Sequence, residues 1–296
     1  MQEGMGEAAA TRPATAGTPA PSMARAAERL VRSGAGGTLE WEGATLASDF
    51  QPILAVRDPA CHGYEALLRA TDAAAQRIPP LDLFARAGES RAVLDWACRA
   101  LHLRNYARFE PEDRTLFLNV HPQAAAHDAR CALELGDLVR YYGLVPKRVC
   151  VELSADDSAD EAALLEAVAI YRNLGISIAI DGFGKARSNF DRVIAVRPDI
   201  VKVDRALFAD SLLGWGRARR MLAGMVELLH EVRARVVVAG VESYAEARVA
   251  IDAGADFLQG YFFCPPDAAP ADESAAVARL AAVLRGDGRR NLAFAT

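Results

Sequence analysis

Residues 149–181 read VCVELSADDSADEAALLEAVAIYRNLGISIAID, and this stretch decides the fold class. Two short apolar runs, Val149–Leu153 and Ser177–Ile180, enclose a longer segment with helical periodicity, Glu161–Leu174. Strands that are apolar on both faces and separated by helices are typical of a parallel sheet with crossover helices. The stretch therefore predicts a strand–helix–strand unit of an α/β protein.

The same alternation extends over most of the chain from Asp49 onward. Eight strands are predicted, at Gln51–Val56, Gly63–Leu68, Leu116–Val120, Val149–Leu153, Ser177–Ile180, Ile200–Val203, Val236–Ala239 and Phe257–Gln259. Helical segments are predicted between them at Asp82–Arg108, Glu161–Leu174, Ala206–Val232 and Ala245–Ala253. Eight strands favour a closed (β/α)8 TIM-like barrel, for which 296 residues is an ordinary length. A doubly wound open sheet is the alternative, although no Gly-x-Gly-x-x-Gly follows the first strand.

Composition indicates a globular protein without a surface for nucleic acid or membrane. The formal net charge is −5 and no basic stripe with interleaved aromatic residues is present, so nucleic-acid binding is not expected. The longest strand-like apolar run, Val236–Val241, is too short to span a membrane. Five cysteines lie far apart without a C-x-x-C pair, which indicates reduced thiols and a cytoplasmic location.

Four segments are predicted along the chain. Residues 1–22 are mostly Ala, Gly, Thr, Ser and Pro, and we expect them to form a disordered tail. Residues 23–46 hold a short amphipathic helix at Met23–Ser33 and a lead-in, and this helix docks either on the barrel or on a partner. The barrel domain is expected at 47–285, followed by a C-terminal tail at 286–296.

Polar side chains end most of the predicted strands. Because active sites of such barrels form at the carboxyl ends of the strands, we expect these residues to meet at one mouth. They are Glu65, Asn119, Glu152, Asp181, Lys202 with Asp204, and Gln259. Hard cations such as Mg²⁺ prefer carboxylate and amide oxygens, which makes four of these residues metal-ligand candidates. The four are Glu65, Asn119, Glu152 and Asp181.

Two basic residues accompany this acidic set. Lys202 offers a compact positive charge that can orient a water molecule or meet a phosphate oxygen, and Arg69 can form a bidentate fork on a phosphate. A salt bridge between Lys202 and Asp204 inside the mouth is the structural alternative, and both roles can hold together.

The motifs as a set resemble the EAL domain, a bacterial family that hydrolyses or binds cyclic di-GMP, over residues 47–270. They are FQPI at Phe50–Ile53, YEALLR at Tyr64–Arg69, LNV at Leu118–Val120, VEL at Val151–Leu153, DGFG at Asp181–Gly184, VKVD at Val201–Asp204, AGVES at Ala239–Ser243 and QGYFF at Gln259–Phe263. The resemblance implies a barrel that binds one cyclic dinucleotide at its mouth, above divalent metal ions.

Further site residues follow from the resemblance. It implies Glu65 and Lys202 as the catalytic residues. It also implies that the dinucleotide pocket is lined by Gln51, Glu65, Leu67, Arg69, Asn119, Asp181, Lys202, Asp204, Glu242 and Gln259. Phe262, Phe263 and Pro265 are candidates for packing near a base, although a core role is the alternative for at least one phenylalanine.

Three carboxylates of the active family are missing from this chain. Gly182 replaces the second of two consecutive aspartates, Ala239 replaces the first Glu of Glu-Gly-Val-Glu, and Ala155 replaces the last Glu of Glu-x-Thr-Glu. The loop Lys185–Arg187 also departs from the family pattern. Because two-metal hydrolysis needs two cations roughly 3.5–4 Å apart, loss of the second-metal aspartate predicts weak or absent cleavage.

The sequence therefore predicts a degenerate EAL-type signalling protein that binds cyclic di-GMP, protein partners or both. One Mg²⁺ or Mn²⁺ is expected at most, since the second metal site lacks its aspartate at Gly182. An active cyclic di-GMP phosphodiesterase and a ligand-independent protein-interaction module are the alternatives. Whether the chain forms a homodimer is left open.

Overall fold

The computed structural model describes residues 37–109, 113–120, 129–154, 160–184, 190–207, 215–270 and 273–287. The predicted tail at 1–22, the helix at Met23–Ser33 and residues 288–296 lie outside these ranges, as do Ala155 and the loop Lys185–Arg187. The domain boundaries set from the sequence stay predictions.

The described residues hold ten strands and eight helices. In chain order they are β1 (Leu39–Trp41), β2 (Ala44–Ala55), β3 (Ala60–Thr71), β4 (Arg77–Ile78), α1 (Pro80–Ala87), α2 (Arg91–Ala107), β5 (Thr115–Val120), α3 (Ala129–Tyr141), β6 (Val149–Ser154), α4 (Glu161–Asn173), β7 (Ser177–Phe183), α5 (Phe190–Val196), β8 (Ile200–Val203), α6 (Trp215–Glu231), β9 (Arg235–Val238), α7 (Tyr244–Asp252), β10 (Phe257–Leu258) and α8 (Glu273–Arg285). Short 3₁₀ turns occur at Gly88–Ser90, Pro146–Arg148 and Arg205–Leu207.

Eight of the strands close into a barrel. Their order is β2-β10-β9-β8-β7-β6-β5-β3, and pairing of β3 with β2 completes the ring. Within the ring, β3 and the strands from β5 to β10 run parallel to one another. Each of the eight predicted strands coincides with a strand of this ring, which confirms the predicted barrel.

Strand β2 is the exception to the parallel arrangement. It runs antiparallel to both β3 and β10, so the parallel arrangement inferred from the alternation of strands and helices does not extend to this strand. The physical reason is the length of the connection, because β2 ends at Ala55 and β3 begins at Ala60. A crossover between parallel strands needs about a dozen residues, whereas a connection this short permits only an antiparallel hairpin.

The helices differ from the sequence prediction in two ways. The single helix predicted over Asp82–Arg108 is divided into α1 and α2 at Gly88, whose φ of 49° lies outside the helical region. Helices α3, α5 and α8 and strands β1 and β4 were not predicted. Strands β1 and β4 extend the barrel sheet beside β2 and β3, respectively.

The hydrophobic core has an inner and an outer part. A large cluster lies between the strands and the surrounding helices, and it includes Leu118, Val151 and Ile180. A smaller cluster fills the barrel interior and contains Ile53, Phe117, Cys150, Ala179, Ile200, Val237 and Phe257. This inner layer forms the floor beneath the polar mouth.

Candidate functional site

The period of two along a β-strand places the polar residues directly above the apolar floor. Side chains two positions apart in a strand share a face, so the residue two positions beyond each floor residue also points into the barrel. In β5, β6, β7 and β8 these residues are Asn119, Glu152, Asp181 and Lys202, and directly after β9 and β10 they are Ala239 and Gln259. In the antiparallel β2 the equivalent residue comes two positions earlier, at Gln51, which pairs in register with Glu65 of β3.

Lys202 lies at the centre of this polar layer. Its Nζ is 2.8 Å from Glu65 Oε2 and 2.8 Å from Glu152 Oε1, and 3.8 Å from Asp181 Oδ1. Lys202 and Glu152 are buried, with 2% and 1% of their surface exposed. The alternative pairing of Lys202 with Asp204 is wrong, since Asp204 Oδ1 instead accepts from the backbone N–H of Ala206 at 2.8 Å.

Amide side chains hold Glu65 from two further strands. Asn119 Nδ2 donates to Glu65 Oε1 at 3.0 Å, and Gln259 Nε2 donates to Glu65 Oε2 at 2.7 Å. Gln259 also donates to Gln51 Oε1 at 3.2 Å, and Gln51 Nε2 donates to the backbone carbonyl of Cys264 at 3.1 Å. Each oxygen of Glu65 thus has a defined hydrogen-bond partner, which fixes the direction of this carboxylate.

Burial and charge act against each other in this cluster. Burial lowers the pKa of Lys202, but the three surrounding carboxylates outweigh burial and hold it well above its usual value, so the ammonium stays charged. Burial also raises the pKa of Glu65. The Lys202 charge and the hydrogen bonds that the Glu65 carboxylate accepts outweigh burial and bring this pKa below its usual value. For Glu152, burial and the charge of Glu65 raise the pKa well above its usual value.

The predicted metal ligands are brought together, but around an ammonium group. Among the described residues, no three His, Cys, Asp or Glu side chains converge as ligands of one ion. Glu152 Oε2 is nevertheless buried and has no hydrogen-bond partner within the described part of the chain. One ammonium facing three carboxylates leaves excess negative charge, and oxygen donors of this type suit a hard divalent cation. The metal role of Glu65, Asn119, Glu152 and Asp181 therefore stays a prediction, which the oxygen chemistry of these side chains supports.

The opposite edge of the mouth has fewer side-chain groups. The pairing of β7 with β8 is irregular between Ile180 and Phe183, so Asp181 and Gly182 lie in a bulge. Asp181 is half-buried, and burial raises its pKa although the Lys202 charge opposes this. Gly182 has a φ of 74°, and a Cβ added there would meet no described atom within 4 Å. Directly after β9, the residue at the equivalent position is Ala239, which has only a short methyl group.

The remaining predicted ligand residues lie around the rim. Arg69 and Leu67 are half-buried on β3, and Arg69 Nε donates to Asp49 Oδ2 at 2.5 Å. Glu242 is exposed and pairs with Arg205 Nη1 at 2.9 Å. Pro265 follows Cys264 in the turn after β10. Arg69 and Glu242 are thus engaged with protein charges, and the ligand roles of these four residues stay predictions.

Three contributors to this rim were missed in the sequence, namely Arg205, Glu246 and the backbone carbonyl of Cys264. Arg205 also pairs with Glu246 Oε1 at 3.0 Å through Nη2. The other carboxylate oxygen of Glu246 accepts the backbone N–H groups of Glu242 and Ser243, and Ser243 caps helix α7. The sequence Ser243-x-x-Glu246 is a capping-box pattern and could have revealed Glu246. No sequence pattern indicates the Cys264 carbonyl, because any residue supplies one.

A closed α/β barrel with a buried carboxylate–ammonium cluster at its mouth is a TIM-like barrel protein, a class in which active sites form at the carboxyl ends of the strands. The family model of the EAL domain matches residues 39–266, and the chain belongs to this family.

Several known proteins are similar to this chain. The cyclic di-GMP phosphodiesterase NbdA of Pseudomonas aeruginosa is 26% identical over 238 residues, which cover 75% of this chain and 29% of NbdA. A standalone EAL protein of Vibrio cholerae, solved with c-di-GMP bound, is 25% identical with a TM-score of 0.68 over 76% of this chain and 94% of its own. The Bacillus subtilis protein YkuI, solved with c-di-GMP and calcium, is 23% identical with a TM-score of 0.71 over 81% and 60%.

The matches cover only part of the length of the curated relatives. The chain spans less than half the length of the curated relatives it matches. No helix in the described ranges is both long and apolar enough to cross a membrane.

Proposed function

We propose that this chain is a cyclic di-GMP-binding EAL protein with little or no hydrolytic activity, and that it signals through a protein partner. The observation that carries the proposal is the contrast within one mouth. The cluster around Lys202 is complete, whereas Gly182 and Ala239 supply no carboxylate beside it. NbdA, named as a cyclic di-GMP phosphodiesterase, and the Vibrio cholerae protein with c-di-GMP bound support the choice of ligand.

Weak hydrolysis follows from the number of available oxygen ligands. When a Mg²⁺ or Mn²⁺ ion binds, it polarises a phosphate oxygen and lowers the pKa of a bound water. Glu65, Asn119, Glu152 and Asp181 would hold one such ion. A second ion would need the side-chain oxygen that is missing at Gly182, so two-metal occupancy is not expected. The crystal of YkuI with calcium supports divalent-ion use within the family.

Ligand binding depends on groups that this chain retains. Lys202 is charged and fixed in place, so it can meet a phosphate oxygen without first losing side-chain freedom. Arg69 offers a planar fork for a second phosphate oxygen once it turns from Asp49. The missing carboxylates also reduce the negative charge that a phosphate must approach. Gln51, Leu67, Asp204, Glu242, Gln259 and Pro265 complete the proposed pocket.

Calorimetric titration with cyclic di-GMP, with and without Mg²⁺, tests binding. We expect saturable binding by the natural chain and a weakening of roughly tenfold or more in R69M, because a charged hydrogen bond to phosphate is lost. The matched control is R77M, which removes an exposed arginine on the neighbouring strand β4 and leaves affinity unchanged. If the natural chain binds no cyclic di-GMP at high micromolar ligand, either with or without Mg²⁺, the proposal is refuted.

A working phosphodiesterase is the second candidate, because Asp181 and the complete Lys202 cluster remain in the mouth. Incubation with cyclic di-GMP and Mn²⁺, followed by chromatography for the linear dinucleotide, separates the two candidates. We expect a rate close to that of a sample containing a metal chelator. A metal-dependent rate comparable to that of ordinary enzymes, on the order of 1 s⁻¹ or more, would favour the enzyme.

A further inference from the structure

The turn after β10 connects two hydrogen bonds of the mouth. Gln259, at the start of this turn, donates to Glu65 at 2.7 Å. The carbonyl of Cys264, at its end, accepts from Gln51 Nε2 at 3.1 Å. The positions of Gln259 and Gln51 relative to Glu65 therefore depend on the conformation of residues 259–264.

One side of this turn is fixed by backbone contacts. Val241 N–H donates to the Gln259 carbonyl at 3.0 Å, and Phe262 N–H donates to the Val241 carbonyl at 3.0 Å. A Cβ at Gly260 would lie 2.1 Å from the Val241 carbonyl oxygen, so only glycine permits this approach. The N–H groups of Phe263 and Cys264 both donate to the Gly260 carbonyl. These bonds use the N–H groups of Phe262, Phe263 and Cys264. They do not involve the carbonyl groups of Phe262 and Phe263, which accept hydrogen bonds from another part of the chain.

Arg279 of helix α8 contacts the turn from the other side. Its Nη1 donates to the Phe262 carbonyl at 2.9 Å and to the Phe263 carbonyl at 2.7 Å. Helix α8 is anchored on the barrel by its buried residues Ala276, Leu280 and Val283, so the guanidinium is presented from a packed element. This helix begins at Glu273, beyond the last residue matched by the family model, 266.

We propose that Arg279 is a positioning residue for the ligand pocket. It holds the Phe262 and Phe263 carbonyls, and thereby fixes the turn that presents Gln259 and the Cys264 carbonyl to the mouth. Without it, the turn keeps its contacts with Val241 but loses two charge-assisted hydrogen bonds, and Gln259 and Gln51 spend less time in the binding geometry. The effect on affinity rests on the proposed function, whereas the effect on the turn does not.

Arg248 provides a matched control for the general docking of α8. It is an arginine on α7 whose Nη1 donates to the Val283 carbonyl of α8 at 3.4 Å, and its Nη2 pairs with Asp252 at 2.8 Å. R248Q therefore removes an arginine-to-carbonyl contact with the same helix but touches no residue of the 259–264 turn. A difference between R279Q and R248Q isolates the turn from the helix.

The experiment combines cyclic di-GMP titration, thermal unfolding and amide hydrogen exchange of residues 259–264 without ligand. We expect R279Q to bind roughly tenfold more weakly than the natural chain, as loss of one to two charged hydrogen bonds implies. Amides of the turn should exchange faster in R279Q, and R248Q should change neither affinity nor exchange there. R279K should recover part of the affinity, because an ammonium can still donate to these carbonyls.

Each result decides between positioning and mere stabilisation. Equal affinity losses in R279Q and R248Q, or a loss in R279Q that only follows its melting temperature and is not recovered by R279K, would overturn the proposal. If the natural chain binds no cyclic di-GMP, the proposed function fails. Amide hydrogen exchange then tests the role of Arg279 in fixing the turn. Faster exchange of the turn amides in R279Q alone supports this role, and unchanged exchange overturns it.

Discussion

Two sides of the same barrel mouth differ in how completely they are built. The retained side is defined as Glu65, Asn119, Glu152, Lys202 and Gln259. Four of these residues lie in strands and Gln259 directly follows β10, and short ion pairs and hydrogen bonds join them. The depleted side, defined as Asp181, Gly182 and Ala239, has one half-buried carboxylate, one glycine in a left-handed conformation and one methyl group.

The difference shows which requirements act on each side. A buried charge needs its partners for the fold to remain stable, so the retained side is constrained even without catalysis. The depleted side is open, since a Cβ at Gly182 would meet no described atom within 4 Å. Packing therefore constrains the side chain at position 182 less than it constrains the buried cluster.

Removal of Lys202 should have the largest effect on this comparison. K202M leaves Glu65 and Glu152 buried without a cation, and breaking a buried ion pair in this way costs about 3–5 kcal/mol. We expect this loss in the free energy of unfolding, measured by urea denaturation at neutral pH, together with loss of cyclic di-GMP binding.

K147M is the control, because Lys147 is exposed and its replacement should change stability by less than about 0.5 kcal/mol. If K202M proves too unstable to measure, K202M with E152Q should recover part of the loss by removing one unpaired carboxylate. If K202M lowers the free energy of unfolding by less than about 1 kcal/mol, the ion pairs of Lys202 do not stabilise the retained side.

Introducing carboxylates on the depleted side should increase hydrolysis of cyclic di-GMP. The triple variant A155E, G182D and A239E supplies oxygen ligands for a second cation. We expect cyclic di-GMP hydrolysis with Mn²⁺ to rise by roughly a hundredfold or more, as activation by a metal ion is worth several kcal/mol. Linear dinucleotide is measured by chromatography. The aspartate at position 182 should cost about 1–2 kcal/mol in stability, because its φ lies in the left-handed region.

G182N in the same triple background is the matched control. Asparagine has the shape of aspartate and experiences the same backbone conformation, but it carries no charge, so the rate should stay well below that of the aspartate variant. Equal rates in the two variants, or no increase in either, would show that second-site charge does not limit hydrolysis in this protein.

Acid should weaken the scaffold behind the retained side. His102 of α2 is buried, and its Nδ1 lies 2.8 Å from Ser48 Oγ on β2. Burial lowers the pKa of His102 from 6.5 to about 4, although the Glu65 charge opposes this shift. Between these two pKa values, His102 is protonated in the unfolded chain but neutral in the folded chain. The contribution of His102 is therefore complete above about pH 6.5 and is lost as the pH falls towards 4.

Urea denaturation of the natural chain and of H102Q at pH 7 and pH 4.5 measures this contribution. We expect the stability difference between the two proteins to change by about 2–3 kcal/mol in favour of H102Q on acidification. The comparison within each pH cancels the carboxylates that both proteins share. A difference that is independent of pH would place the protonation of His102 outside the folding equilibrium.

Much of the fold and of the polar layer could be predicted from the sequence, because both follow from periodicity. Alternation of apolar strands and helices gave all eight barrel strands, and the carboxyl ends of the strands located Glu152 and Lys202. The direction of β2 was not predicted, since direction depends on the length of the connection at 56–59 and not on the strand itself. The 56–59 segment contains Asp58-Pro59, a turn signal that could have indicated the hairpin.

The pairings within the mouth could not be predicted in the same way. Which carboxylates surround Lys202, and that Asp204 is not one of them, depends on register and on the bulge at Asp181–Gly182. The engagement of Arg69 by Asp49 is a diagonal contact between antiparallel strands, and so it required the direction of β2. Backbone acceptors such as the Cys264 carbonyl leave no trace in residue identity.

The contact between Arg69 and Asp49 provides the smallest and most discriminating test of the retained side. Both side chains are about one-fifth exposed, at 23% and 20%, and an ion pair in that setting is worth about 1 kcal/mol or less. D49N frees Arg69 and removes a negative charge near the proposed phosphate. We therefore expect cyclic di-GMP to bind about two- to threefold more tightly by calorimetry, with a smaller gain at high salt.

D113N, which breaks the exposed pair with Arg148 before β5, should leave affinity unchanged. Weaker binding in D49N would instead mean that Asp49 holds Arg69 in its binding geometry, and the retained side would then extend from the buried cluster to this rim pair.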